Sequence, residues 1–119
     1  MFETVLLPMD ANPQALDTAV KALELVQGHD SCLVLLELLD LAPDPSLLDR
    51  IKARIDQSGV PCQRLERGGE PLTVILDVAD ELNVDVIVMG TGGVSLNSDD
   101  GSTAARVIEL APCPVLVVP

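Results

Sequence analysis

The sequence predicts an α/β protein whose core is a three-layer open parallel sheet of five strands with helices on both faces. Five short apolar runs alternate with four segments whose apolar residues recur at helical spacing. Hydrophobic residues make up 48% of the chain, but Phe2 is the only aromatic one. A core of leucine, valine, isoleucine and alanine suits parallel strands that are covered on both sides. The length of 119 residues predicts a single domain over 1–119.

The first strand is predicted over residues 5–9, an unbroken apolar run. Asn12 and Pro13 then have the pattern of an N-cap followed by the first helical residue. Gly28 predicts the end of that helix. The core face expected from helical spacing consists of Leu16, Ala19, Val20, Leu23 and Val26.

The second strand is predicted over residues 33–38, and Asp44 with Pro45 repeats the cap-and-proline pattern before a helix that ends near Gly59. The third strand, over residues 60–67, is less apolar and is therefore expected near a sheet edge.

The next helix has Pro71 in its first turn and is followed by a strand over residues 85–89. A helix over 102–110 and a strand over 115–118 complete the alternation, which implies right-handed crossovers. The core face predicted for the helix after Pro71 is Leu72, Ile75, Leu76, Ala79 and Leu82.

Glycines follow the fourth predicted strand in a pattern that can hold phosphate. Gly90 and Gly93 come directly after the strand, and Gly101, Ser102 and Thr103 open the next helix. Glycine lets the backbone approach an anion, and the N–H groups of a helix N-terminus favour negative charge. The alternatives are a plain strand end for the glycine pair and an ordinary N-cap for the hydroxyl pair.

These segments together resemble the universal stress protein family. The resemblance rests on residues 5–10, 69–71, 85–91, 104–108 and 111–118, so it covers nearly the whole chain. It implies an adenine nucleotide alpha hydrolase-like fold with strand order 3-2-1-4-5. In that order, the ends of the first and fourth strands lie side by side at a topological switch point.

The resemblance also implies a nucleotide site. Asp10 would lie near adenosine, with local turn formation as the alternative, and Leu38 would contact adenine or else belong to the core. The implied nucleotide-binding residues are Pro8, Met9, Asp10, Leu38, Gly90, Gly93, Gly101, Ser102 and Thr103.

The phosphate loop departs from the family pattern. Seven residues, rather than the family's nine, separate Gly93 from Gly101. Asp99 and Asp100 precede the helix, where they either cap it as internal anions or bind Mg²⁺ between themselves and a nucleotide.

Two functions follow from the resemblance. The first is a stress-response module that binds ATP, with Mg²⁺, or a related adenine nucleotide without efficient turnover. The alternative is a regulatory or scaffolding homodimer without a nucleotide site, joined through the apolar edge strand 115–118. No nucleophile elbow or metal-ligand spacing is present, so catalysis is not predicted.

Charge and cysteine content narrow the choice of partners and compartment. The net charge of −12 opposes nucleic acid binding. Five of the seven basic residues lie within 50–67, either as a solvated face or as a site for an acidic partner. Three cysteines in or beside apolar runs predict free buried thiols in a reducing compartment. No leader or membrane-length apolar run is visible, so we expect a cytoplasmic protein.

Overall fold

The computed structural model describes residues 3–9, 13–42, 44–90 and 103–119. The five strands form one parallel sheet in the order β3-β2-β1-β4-β5, which confirms the predicted fold class and strand order. The elements are β1 (Thr4–Met9), α1 (Ala15–Val26), β2 (Cys32–Leu38), a 3₁₀ turn (Leu39–Leu41), α2 (Pro45–Ser58), β3 (Cys62–Arg67), α3 (Pro71–Glu81), β4 (Val86–Gly90), α4 (Thr103–Leu110) and β5 (Val115–Val118).

The sheet divides the core into two halves. Val5 and Leu7 of β1 pack with α1 and α2, whereas Leu6 packs on the other face with α3 and α4. All three side chains are at most 1% exposed. This central strand is apolar on both faces because helices cover both of them, as the parallel sheet requires.

The predicted boundaries of α2 are confirmed. Asp44 Oδ1 accepts a hydrogen bond from the Ser46 backbone N–H at 3.0 Å, and Pro45 is the first helical residue. Gly59 follows the helix with a φ of 73°, in the left-handed region that glycine adopts without strain.

The predicted start of α1 is wrong. The helix begins at Ala15 after Gln14 as N-cap, and Pro13 lies in a turn; Asn12 is outside the described residues. Pro13 therefore belongs to the turn before α1 and not to the first turn of the helix.

The buried face of α1 is also made of smaller side chains than helical spacing predicts. Ala15 and Ala22 are buried, whereas Leu16 and Val20 are only half-buried. The buried face of α3 also differs from the predicted one: Val78, which was not predicted, is buried together with Ile75 and Ala79. Small side chains at the contact let a helix lie close to the sheet, and apolar periodicity alone does not show which residues make that contact.

β3 and β4 begin later than predicted, and β4 ends one residue later. β3 starts at Cys62, and β4 runs from Val86 to Gly90. Asp85, predicted as the first residue of β4, precedes the strand and holds the start of β1 instead. Its Oδ2 accepts hydrogen bonds from the backbone N–H groups of Glu3 and Thr4, at 2.9 Å each.

All three cysteines are free, as expected, but they are partly exposed rather than buried. Partial burial still raises the pKa of the Cys62 and Cys113 thiols. A raised pKa keeps these thiols protonated at neutral pH, so they are weak nucleophiles.

We predict that Asp85→Ala lowers the free energy of unfolding by about 1–3 kcal/mol, because two backbone N–H groups lose a charged acceptor. Urea denaturation followed by circular dichroism measures this change. Asp77→Ala, on the exposed side of α3, is the matched control and should change stability by about 0.5 kcal/mol or less. Equal effects of the two variants would contradict a structural role for the Asp85 carboxylate.

Candidate functional site in the crevice between strands β1 and β4

The ends of β1 and β4 meet at the carboxyl edge of the sheet. Leu6 pairs with Ile87 in the parallel register; further along, Met9 ends β1 beside Glu37 of β2, and Gly90 ends β4 beside Val118 of β5. β2 lies on the other side of β1, and β5 lies on the other side of β4. This edge is therefore the topological switch point of the sheet, where open parallel sheets form their ligand crevice.

The structure brings several of the sequence-predicted site residues to this edge. Pro8 and Gly90 are half-buried near the ends of their strands, and Thr103 is the half-buried first residue of α4. Gly90 extends β4 as its last residue and pairs with Val118. The predicted site residues outside the described part of the chain are Asp10, Gly93, Gly101 and Ser102.

Met9 and Leu38 belong to the hydrophobic core as well as to this edge. Met9 is 1% exposed and packs in the half that contains α1 and α2, and Leu38 is 3% exposed and packs with α3 and α4. These values agree with the core alternative for Leu38. The two side chains therefore lie on opposite faces of the sheet, and each packs in the core near this edge.

Carboxylates cap two of the helices with their own oxygens. Asp44 caps α2, and Glu70 caps α3 through Oε1 to the Leu72 N–H at 3.2 Å and Oε2 to the Thr73 N–H at 2.8 Å. The Thr73 side chain and backbone bonds hold the pKa of Glu70 below its ordinary value. Both N-termini already hold a negative group, so neither is open to a phosphate.

Arg106 brings positive charge to the side of the crevice where α4 begins. It lies one helical turn after Thr103 and faces Glu109, with Nε 3.8 Å from Oε2. Its charge contributes to the lowered pKa of Glu70, after the Thr73 and Leu72 hydrogen bonds. The sequence pattern did not single out Arg106, although its position three residues after Thr103 could have indicated a shared helix face.

A partly buried ion pair lies on the other side of the carboxyl edge. Glu37, near the end of β2, is 6% exposed, and its Oε1 lies 2.8 Å from Lys52 Nζ on α2. Lys52 compensates the cost of burying this carboxylate, so the pair has a structural role. Among the described residues, no group of three or more acidic, histidine or cysteine side chains is placed to hold a metal ion.

The sheet order and the crevice define an open α/β protein of the adenine nucleotide alpha hydrolase-like fold. The chain belongs to the universal stress protein family, because the model of that family matches residues 1–119.

Curated relatives agree with this assignment. Universal stress protein Sll1654 from Synechocystis is 39% identical over 136 aligned positions, which cover 100% of this chain and 87% of the relative. A universal stress protein from Thermus aquaticus is 32% identical over 99% of each chain. The first alignment is longer than this chain, so that relative contains residues with no counterpart here.

Solved structures agree in fold. A universal stress protein crystallised in complex with cAMP superimposes with a TM-score of 0.80 at 20% identity, over 98% of this chain and 97% of the other. A family member from Burkholderia pseudomallei superimposes with a TM-score of 0.76 at 25% identity, over 99% and 96% of the two chains. Within the described ranges, no helix has the length and apolarity to cross a membrane.

We predict that Glu70→Gln destabilises the protein at neutral pH and that the difference disappears in acid. The folded pKa of Glu70 is lowered, so its contribution is present above the unfolded value of about 4.3 and is lost as pH falls through the folded value. Thermal melts of both proteins from pH 7 to pH 3 should therefore converge. Glu81→Gln, at the other end of α3, is the control, and a difference that persists at pH 3 would contradict this assignment.

Proposed function

We propose that this universal stress protein is a stress-response module that binds an adenine nucleotide, ATP or a related compound, without efficient turnover. The observation that carries the proposal is the switch point itself: β1 and β4 are parallel neighbours, and the strands that follow them, β2 and β5, lie on opposite sides. The fold relative crystallised with cAMP supports an adenine nucleotide as the ligand class. The three free cysteines favour a reducing compartment, and we therefore place the protein in the cytoplasm.

In this proposal, the adenosine part lies against Pro8, Met9 and Asp10, and the phosphates extend toward the start of α4. Gly90 lets the backbone approach the ligand closely, because glycine has no side chain. Gly93, Gly101, Ser102 and Thr103 supply backbone and hydroxyl donors on the phosphate side.

Charge decides how tightly the phosphates bind. Arg106 offers one cation near the start of α4, whereas Asp99 and Asp100 bring two carboxylates next to the predicted phosphate position in sequence. In this proposal, Mg²⁺ bound by these aspartates would reverse their effect from repulsion to attraction. A nucleotide with fewer phosphate charges, such as a cyclic monophosphate, faces less of this repulsion.

We predict that Gly90→Val abolishes binding of ATP and cAMP, because the branched side chain occupies the crevice at the end of β4. The matched control is Gly68→Val, which places the same side chain at the carboxyl edge after β3, two strands away from β1. A Cβ at Gly68 meets only Asp40 Oδ1, at 3.6 Å, which is ordinary contact. Calorimetric titration with and without Mg²⁺ measures binding, and thermal melts show that both variants fold.

The two variants test whether nucleotide binding depends on the end of β4 or is lost with a valine elsewhere at the carboxyl edge. Loss of binding in Gly90→Val alone supports the switch-point site, and a folded Gly90→Val that binds like the wild type contradicts it. Absence of binding in the wild-type protein, together with no nucleotide released on heat denaturation, would favour the second candidate function below.

The second candidate is a regulatory or scaffolding homodimer that joins through β5, and the position of β5 at the edge of the sheet, as far as the chain is described, favours it. The Ile87 N–H donates to the Pro114 carbonyl at 3.0 Å, so alternate residues of β5 face β4. The intervening residues, Val115 and Val117, direct their N–H and C=O groups away from the sheet. A second β5 strand, antiparallel about a two-fold axis, would satisfy these groups.

A groove beside this edge gives the second copy an apolar surface. It lies between α1 and β5, has a volume of about 440 Å³ and is lined by Leu25, Leu116 and Val118 with Lys21 and Glu24 at its rim. Leu116 is 42% exposed, which is high for a strand residue of this size. Pairing of the two edges would cover it.

We predict a dimer mass of about twice the 12.6 kDa chain by light scattering at micromolar concentration. Val117→Lys should convert the dimer to monomer, because two lysines would meet near the two-fold axis and repel each other. Leu39→Lys is the control: Leu39 is also exposed, at 48%, but follows β2 and should leave the mass unchanged. A wild-type monomer at that concentration contradicts the interface.

A further inference from the structure

A second cavity lies between the helices that cover one face of the sheet, and we call it the α1–α2 groove. Its volume is about 280 Å³, and it is lined by Val20, Leu23, Glu24, Gln27, Arg54, Gln57 and Ser58. Leu23 is 4% exposed and forms an apolar base with the half-buried Val20. An apolar base beside several polar groups suits a small ligand that carries both kinds of group.

The groove contains one cation and one anion that do not pair with each other. Glu24 and Arg54 both line it, yet no N–O distance of 4.0 Å or less joins them, and Glu24 instead faces Lys21 on its own helix at 3.4 Å. Arg54 has no salt bridge to any residue in the described ranges. Opposite charges from two different helices, both lining one groove, suit a ligand that carries both charges.

The remaining polar side chains also indicate what the groove can hold. Ser58 Oγ accepts from the Val60 N–H and donates to the Ile55 carbonyl, so Ser58 shapes the wall without offering a free hydroxyl proton. Gln27 and Gln57 each carry an amide that can donate or accept. The chain's net charge of −12 and the Glu24 carboxylate both oppose a purely anionic ligand.

We propose that the α1–α2 groove binds a small free α-amino acid with an apolar side chain. The carboxylate of the ligand pairs with Arg54, its ammonium group lies at Glu24, and its side chain covers Leu23 and Val20. Gln27 and Gln57 bind the remaining polar atoms. The groove is open to solvent, so we expect dissociation constants of about millimolar magnitude.

This site is separate from the nucleotide crevice. Gln27 lies just before β2 along the chain, and Ser58 lies just before β3, so the groove opens at the edge where parallel strands begin. The crevice lies at the edge where they end. The two ligands therefore need not compete, and the groove can be tested without nucleotide.

The test is a titration of the ¹⁵N-labelled full chain with L-leucine, followed through the side-chain amide signals of the glutamines. Signals of Gln27 and Gln57 should shift and saturate, whereas the signal of Gln63 on β3 should stay in place as an internal reference. Isocaproate lacks the ammonium group and isoamylamine lacks the carboxylate, so each should bind about fivefold or more weakly.

Matched variants test whether Arg54 and Glu24 bind the charged groups of the ligand. Arg54→Gln and Glu24→Gln should each weaken leucine binding about fivefold or more, whereas Arg50→Gln, one turn earlier on α2 and outside the groove, should bind like the wild type. All three positions are exposed, and thermal melts show that the variants fold. No saturable shift at Gln27 and Gln57, equal binding of isocaproate and leucine, or unchanged binding by Arg54→Gln would each overturn the proposal.

Discussion

The double burial of β1 is the constraint on which the rest of the structure depends. This strand pairs with β2 and β4 on its two edges, and its side chains, among them Val5, Leu6 and Leu7, are covered by helices on its two faces. The interior of such a strand has no route to water, so its buried residues must be apolar. Because β1 is held on all sides, the position of its carboxyl end next to β4 is set by the packing of the sheet. The proposed nucleotide site therefore depends on this strand order rather than on any single side chain.

Four of the 19 acidic side chains in this strongly charged chain have defined local roles. Asp44 and Glu70 each close a helix N-terminus, Asp85 holds the start of β1, and Glu37 pairs with Lys52 inside the protein. These contacts place negative charge where backbone N–H groups or a cation can stabilise it. They also mean that a phosphate arriving at the carboxyl edge finds two of the nearby helix ends already occupied. The start of α4 then becomes the end on which phosphate binding depends in our proposal.

The two edges of the sheet differ in a way that favours one direction of self-association. β3 is an exposed, charged strand that includes Arg64 and Glu66, with Arg64 Nη2 2.7 Å from Asp56 Oδ1 of α2. Charged side chains on an edge strand discourage another strand from pairing with it. β5 at the opposite edge carries only apolar residues, from Val115 to Val118, and lies beside an apolar groove. If two copies of this chain join, the physical preference is therefore for contact through β5.

The sequence by itself determined most of the element pattern, both ends of α2 at Asp44 and Gly59, and the edge position of β3, because these depend on local chemistry and on the apolarity of each segment. It also predicted, through its resemblance to the universal stress proteins, the strand order that the structure confirms. Only the tertiary structure decided that α1 begins at Ala15 and faces the sheet with small side chains, because that choice depends on how closely the helix approaches the strands. The same holds for Asp85 bonded to β1 and for Glu24 and Arg54 lining one groove, since each joins segments that are distant in sequence and meet only when the sheet and its helices pack together.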